Sequence, residues 1–264
     1  MGVTGIIGAG NMGFALVKGL KRDNSEREIL IFDQDIPKAE RAAEECQCIV
    51  ASSLEEIFRR ADITVVAIKP QHLAPFFRDA SKHSKNQRII SIVAGKPIEL
   101  FKRELGTSEV IRFMPNLAAT VSASVVGVAS PEGIDEAFRA EALTIAEALG
   151  TAVPLPEELL SSITGLSGSG IAFVFAFIHA MALGGTQAGI PYDTSLEIAE
   201  HTLHGALEVL KNENSTPSEM LTRVTSAGGT TIEGVRALEE GGLTPAVMEA
   251  IMRAKKRAEE LEGE

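Results

Sequence analysis

Over the first half of the chain, apolar residues come in short β-branched runs separated by amphipathic segments. Runs at 3–7, 28–32, 63–68, 88–93 and 109–113 are dense in Val and Ile, as strands covered on both faces require, and 125–129 adds a further one. Between them, 14–21, 37–45 and 52–60 carry helical spacing, the last opened by a capping box at Ser52-Ser53-Leu54-Glu55. Strands alternating with helices predict right-handed crossovers and a parallel sheet.

After Val153 the pattern changes. Pro154-Leu155-Pro156 punctuates the chain, and beyond it only helical signals follow. Residues 171–184 are apolar nearly all round, which predicts burial in a core or an interface. Residues 191–211 form an amphipathic helix entered through Pro191. Thr216-Pro217-Ser218-Glu219 places an N-cap, an N1 proline and an N3 acid in order, and Thr230 with Glu233 spells a second capping box. Gly241-Gly242 stops that helix, and Thr244-Pro245 opens the last one. An all-apolar helix in a small helical domain is expected to be covered by a second copy of the chain, making a homodimer.

Composition narrows the function. Lys and Arg total 25 against 36 Asp and Glu, a net charge of −11, with no Trp and one Tyr. That balance excludes the basic stripe and the stacking platforms that nucleic acids need. Cys46 and Cys48 are the only cysteines, too few for a disulfide framework or a four-ligand zinc site, and read as reduced thiols at a strand edge. The run 171–183 contains His179 and falls short of the ~18 residues of a spanning helix. The start of the chain lacks a cationic leader, so the expectation is a cytoplasmic protein without a membrane partner.

The candidate chemistry begins at the N-terminus. Gly8, Gly10 and Gly13 stand in G-x-G-x-x-G spacing between a predicted strand and helix, and Asp33 ends the next strand twenty residues on. This is the dinucleotide fingerprint in its required context. Gly8 permits the tight turn, Gly10 lets the backbone approach a pyrophosphate, and Gly13 allows close helix–strand packing. The chain is therefore read as α/β: a Rossmann-type doubly wound sheet over 1–153, then an all-α dimerisation domain over 154–264. Asp33 has two readings: a carboxylate for the adenosine ribose, favouring NADH over NADPH, or a loop aspartate in a capping turn. Lys38 and Arg41 lie near enough in sequence to meet a 2′-phosphate.

Other strand ends add candidates. Ala67-Ile68-Lys69-Pro70-Gln71 closes the 63–68 strand, and a lysine before a proline there suits a ligand better than a core. Small residues at Val93-Ala94-Gly95 leave room for a ribose or nicotinamide. Asn116, after Arg112-Phe113-Met114-Pro115, offers donor and acceptor to a cofactor, or serves as a turn residue. Gly165-Leu166-Ser167-Gly168-Ser169-Gly170 lacks the G-K-[ST] ending of a P-loop and reads as close packing or a helix break. Val224-Thr225-Ser226-Ala227-Gly228-Gly229-Thr230-Thr231 leads hydroxyls and free N–H groups to a positive helix end, a site for a small carboxylate.

Taken in order, residues 5–13 (GIIGAGNMG), 67–71 (AIKPQ), 112–116 (RFMPN), 164–170 (TGLSGSG) and 224–242 (VTSAGGTTIEGVRALEEGG) resemble the pyrroline-5-carboxylate reductases over essentially the whole chain. The resemblance implies reduction of the cyclic imine 1-pyrroline-5-carboxylate to L-proline by NADPH or NADH. It also implies a helical domain that intertwines in a homodimer, often built into larger rings. By it, Ile7, Gly8, Ala9, Gly10, Asn11 and Met12 hold the cofactor with Ala67, Ile68, Lys69 and Pro70, and Val93 and Ala94 lie beside it. Ser226, Gly228, Gly229, Thr230 and Thr231 hold the substrate carboxylate and ring nitrogen, with Thr231 as donor to that nitrogen. The chain departs from the family at Leu117-Ala118, where Thr-Pro is usual, and at Ile171 and Ala227, where Pro is usual.

No nucleophile constellation stands out. His201 and His204 with Glu197, Glu200 and Glu208 read as a solvated helix face, and no metal is expected. His72, His83 and His179 have no obvious partner. A hydroxyacid-type dehydrogenase would show K-x-x-x-N spacing after Ser167, which is absent. A nucleotide-binding regulator without turnover is the other alternative, as is reduction of a related cyclic imine.

Overall fold

The computed structural model describes residues 2–23 and 26–263. It divides into two compact units: one reaches Ser169 and takes back the end of the chain from Arg253, and the other spans Gly170–Met252.

The first unit is built on one eight-stranded sheet. Its strands are β1 (Thr4–Ile7), β2 (Ile29–Phe32), β3 (Ile49–Val50), β4 (Ile63–Val66), β5 (Arg88–Ser91), β6 (Val110–Met114), β7 (Ser124–Ala129) and β8 (Gly150–Pro154), in the order β3-β2-β1-β4-β5-β6-β7-β8. β1 lies between β2 and β4, parallel to both, so the winding reverses there and a crevice opens at the strands' carboxyl ends. Helices cover both faces, as the Rossmann-type reading requires. On one side α1 (Asn11–Asp23), α2 (Ile36–Cys46) and α6 (Glu136–Glu147) bury Leu16, Leu20, Phe138 and Ile145. On the other α3 (Leu54–Arg60), α4 (Leu73–Ala80) and α5 (Ile98–Leu105) bury Phe58, Phe76, Phe77 and Phe101, the last two edge to face at 5.4 Å.

Several expectations are corrected. The sheet is not all parallel: β7 runs antiparallel to β6, and β8 pairs parallel with β7. Only a short 3₁₀ turn, Leu117–Val121, joins β6 to β7, and a parallel return needs a crossover of a dozen residues or more. β3 and β8 are further strands the pattern does not predict. β3 is apolar but only two residues long, Ile49–Val50, too short to make a run, and β8, GTAVP, is a mixed and largely exposed segment. β4 and β5 stop two residues early, which frees Ala67–Ile68 and Ile92–Val93 into the crevice loops. The N-cap of α3 is Ser53, not Ser52. Ser53 accepts the Glu56 N–H at 3.1 Å, while Glu56 reaches back to the Ser52 N–H at 2.9 Å. Cys46 ends α2 and Cys48 precedes β3; burial raises both thiols, that of Cys48 to about 11, so neither is a ready thiolate.

Past the sheet, α7 (Leu160–Ile163) and a π-helical turn (Thr164–Gly168) lead to α8 (Gly170–Gln187). In the second unit α8 packs on α9 (Tyr192–Glu213), with Gly185 so close to Ser195 that a Cβ would lie 2.6 Å from its hydroxyl. α10 (Pro217–Val224) has the expected Thr216–Glu219 capping box. α11 (Thr230–Glu240) does not have the one expected at Thr230: Gly229 is its N-cap, and Thr230 is already helical. α12 (Leu243–Gly263) ends the chain, one residue ahead of the expected Thr244 start. Within Gly170–Met252 the buried residues are Ala182, Ser195 and Ala199, whereas Phe175 is 55% exposed and Leu207 64%.

The run at 171–183 is part of a longer helical stretch than its apolar residues suggest. Glu157–Gln187 is continuous, with a mean hydropathy of 1.8 in its most apolar window, long and apolar enough to cross a membrane by length and composition.

Candidate functional site

The glycine loop after β1 has the geometry its sequence demands. Gly8 sits at φ +107°, where a side chain would meet the Ala67 carbonyl oxygen at 2.5 Å. A Cβ on Gly13 would lie 1.9 Å from the Gly8 carbonyl oxygen, so α1 can approach β1 only with glycine there. Gly10 differs: apart from itself and its two chain neighbours, no heavy atom of the described residues lies within 4 Å of the place its Cβ would take. That open space stands beside the amino end of α1, whose first turn carries no acid, and suits a pyrophosphate. Asp33 fixes the loop. Its Oδ2 accepts the Ala9 N–H at 2.7 Å, and its Oδ1 accepts the Asp35 N–H at 2.9 Å.

Two cavities lie at the carboxyl ends of the strands. The first, about 360 Å³, is lined by Ile7, Gly8, Gly10, Asp33, Ala67, Ile68 and Lys69 among the expected residues. Ala9 and Gly13 are buried behind it, and Asn11 and Met12 open α1 without lining it. Asp35 and Lys38 line it too, paired at 2.7 Å, and hydrogen bonding to Asp35 raises the Lys38 ammonium above its ordinary value. Arg41 is directed elsewhere, pairing with Glu45 and lying 5.2 Å over the Phe14 ring. Lys69 makes no ion pair among the described residues, so its charge faces the crevice uncompensated.

Pro70 and Ala94 line the second cavity, about 340 Å³, with Lys96, Arg112, Met114 and Thr164. Val93 lies just behind in the core, 1% exposed. Asn116 is engaged by protein at both ends of its amide: Oδ1 accepts the Ala118 N–H at 3.0 Å, and Nδ2 donates to the Ser167 hydroxyl at 2.8 Å. The 3₁₀ turn at Leu117–Ala118 is thus held by Asn116 without the family's proline, and the second glycine-rich segment is a π-helical turn tied to β6.

Residues the sequence reading missed are His72, Phe76 and Asp79, which line the first cavity, and Lys96 and Arg112, which line the second. The spacing 72, 76, 79 places the first three on one helical face, a signal legible had that segment been read as a helix.

In the helical unit, Gly228 turns the chain at φ +67°, and Gly229 caps α11 with no side-chain bond. The Gly229 N–H bonds the Ser226 carbonyl at 3.1 Å, and the Ser226 hydroxyl lies where a Cβ on Gly229 would be. Of the four hydroxyls, that of Thr225 donates back to the Leu221 carbonyl at 2.6 Å. Those of Ser226, Thr230 and Thr231 have no partner among the described residues. An exposed helix end with no side-chain cap and three hydroxyls without a partner among the described residues has the chemistry to suit a small anion.

Among the described residues no three metal-ligating side chains gather. His179 has a partner after all: its Nδ1 lies 2.9 Å from the Tyr192 hydroxyl.

This fold and crevice define a dinucleotide-dependent oxidoreductase. Two family models match the chain: NADP oxidoreductase coenzyme F420-dependent over residues 3–95, and pyrroline-5-carboxylate reductase dimerisation over residues 157–261. A pyrroline-5-carboxylate reductase of Methanosarcina acetivorans is 37% identical over 97% of both chains. That of Aquifex aeolicus is 34% identical over 97% of this chain and 96% of its own. Among solved structures, the pyrroline-5-carboxylate reductase of Coxiella burnetii superposes with a TM-score of 0.92 at 27% identity, over 98% of this chain and 97% of its own. The chain belongs to the pyrroline-5-carboxylate reductase family.

Proposed function

We propose that the protein reduces 1-pyrroline-5-carboxylate to L-proline, the last step of proline biosynthesis, with NADH or NADPH as donor. The observation that carries this reading is the α11 end, whose free N–H groups and hydroxyls suit a small carboxylate, in a chain of this family.

Bound at the crevice, the reduced nicotinamide supplies the hydride. Gly8, Ala9, Gly10, Asn11, Met12 and Gly13 form the pyrophosphate turn, and Lys69 brings a positive charge to the same cavity. Pro70, Val93 and Ala94 shape the space for the nicotinamide end. Ser226, Gly228, Gly229 and Thr230 take the substrate carboxylate, and the Thr231 hydroxyl orients the imine nitrogen. Hydride addition to C=N needs no covalent intermediate on the protein: the basic imine enters protonated at nitrogen, the Thr231 hydroxyl holds that nitrogen, and the hydride added at carbon completes the ring amine.

NADH is the preferred donor in this reading. Asp35 is already paired with Lys38 and Asp79 with Lys82, so Asp33 is the carboxylate lining the first cavity that has no cation partner among the described residues, and it opposes a 2′-phosphate. Asp33 keeps acceptor capacity for ribose hydroxyls beyond its two backbone bonds.

The functional boundary is placed after Val153, close to the start of the dimerisation match at 157, whereas the first compact unit runs on through β8 to Ser169 and takes back the chain from Arg253. The exposed apolar helices of Gly170–Met252 support a homodimer; a cytoplasmic location and a ring of dimers complete the reading.

The test is the near-ultraviolet absorbance of NADH and NADPH with and without the imine. Imine-dependent oxidation is expected. Cofactor binding with no imine-dependent oxidation would favour a regulator.

A further inference from the structure

The second cavity has a wall that comes from the far end of the sequence. Ala258, Leu261 and Glu262, one face of the last turns of α12, line it together with Pro70, Ala94 and Gly95. Gly95 stands at φ +68°, and a Cβ there would lie 3.2 Å from the Leu261 carbonyl oxygen, so the loop after β5 and the helix end meet backbone to backbone.

Arg112 holds that wall in place. Its side chain, on β6, is only 3% exposed, and its Nη2 donates to Glu262 at 2.5 Å while Nη1 donates to Glu157 at 3.2 Å. Glu157 in turn accepts the Ile98 N–H at 2.8 Å at the start of α5. One buried guanidinium therefore ties β6, the entry to α5 and the chain's end together. Its Nε has no partner among the described residues, so the two carboxylates are what compensates the buried charge. Such a group is costly to leave unpaired, so removing Glu262 frees the helix end and strands Nη2.

We infer that Glu262, held by Arg112, is a positioning residue that makes the end of α12 the outer wall of the nicotinamide half of the cofactor site. The inference rests on the cofactor reading above, because it assigns the second cavity to the nicotinamide end and the first to the adenosine end. The wall packs on the reacting half of the dinucleotide and leaves the adenosine half untouched.

Comparing NADH with ADP as ligands separates this role from a general loss of structure, since ADP fills only the adenosine end. Dissociation constants are measured by fluorescence for NADH and by competition for ADP. Two variants are used: Glu262→Ala, and a chain ending at Arg257 that removes all three wall residues. Both should weaken NADH about tenfold while ADP stays within about twofold. Glu262→Asp should recover most of the loss. Equal weakening of NADH and ADP, or no change in either, overturns the wall. A native chain that binds no NADH would overturn the cofactor reading itself, and this inference with it.

Discussion

The Asp33 carboxylate accepts the Ala9 N–H at 2.7 Å, so the end of β2 holds the glycine loop that follows β1. The residue assigned to the ribose is thus also the residue that sets the shape of the pyrophosphate turn. Both readings of Asp33, ribose acceptor and turn former, describe the same side chain. Replacing it loosens the loop and removes the charge that opposes a 2′-phosphate. Asp33→Ala should lower kcat/KM with NADH about tenfold. It should lower the value with NADPH less, so that the ratio moves toward NADPH. Native preference for NADPH, or an equal loss for both donors, would contradict the assignment.

The substrate loop makes a separable prediction. The Thr231 hydroxyl lies in the first turn of α11 with no partner among the described residues. Thr231→Ala should lower kcat about 100-fold, the scale of a misplaced reacting atom, while leaving NADH affinity within twofold. Parallel losses in turnover and cofactor affinity would remove Thr231 from the imine nitrogen. Thr231→Ser, which keeps the hydroxyl, should retain most of the rate.

Acid stability reports on the start of α3. Glu56 accepts the Ser52 N–H at 2.9 Å, the Ser52 hydroxyl at 2.8 Å and Arg60 at 2.7 Å, which lowers its carboxyl from the ordinary 4.5 to about 2. Its pKa is depressed in the folded state, so its stabilisation is complete above pH 4.5 and is lost as the pH falls toward about 2. Glu56→Gln should cost about 1 kcal/mol at neutral pH, the worth of a helix cap. The gap in Tm should close in acid. A gap that stays constant through that window would contradict the linkage.

Assembly is tested on the apolar helix. Phe175, 55% exposed in the single chain, lies with Val174 and Leu183 on α8. Phe175→Asp should shift the sedimenting species from dimer to monomer and lower activity with it. A native chain that sediments as a monomer would contradict the dimer, and an unaltered dimer in the variant would place the interface elsewhere.

The sequence made the first crevice legible and the second only in part. Gly8, Gly10, Gly13 and Asp33 sit in one short stretch whose spacing is fixed by the turn they build, so the pattern survives in one dimension. β3 was hidden because two residues, Ile49 and Val50, are too few to show a strand period. The direction of β7 depends on the length of the loop before it, not on β7's own pattern. Arg112 and Glu262 are 150 residues apart, and nothing in either one's neighbourhood announces the other. Asn116 was legible as a polar group after a proline, but its engagement with Ser167 depends on a π-helical turn that the glycines alone did not specify.

The most direct measurement follows the hydride itself. NADH labelled with two deuterons at the nicotinamide C4 is incubated with the protein and 1-pyrroline-5-carboxylate, and the product is analysed by mass spectrometry and NMR. The predicted result is L-proline carrying one deuteron, on the ring carbon that was double-bonded to nitrogen. Unlabelled proline, or no proline while the dinucleotide remains bound and reduced, would contradict direct transfer from nicotinamide to imine.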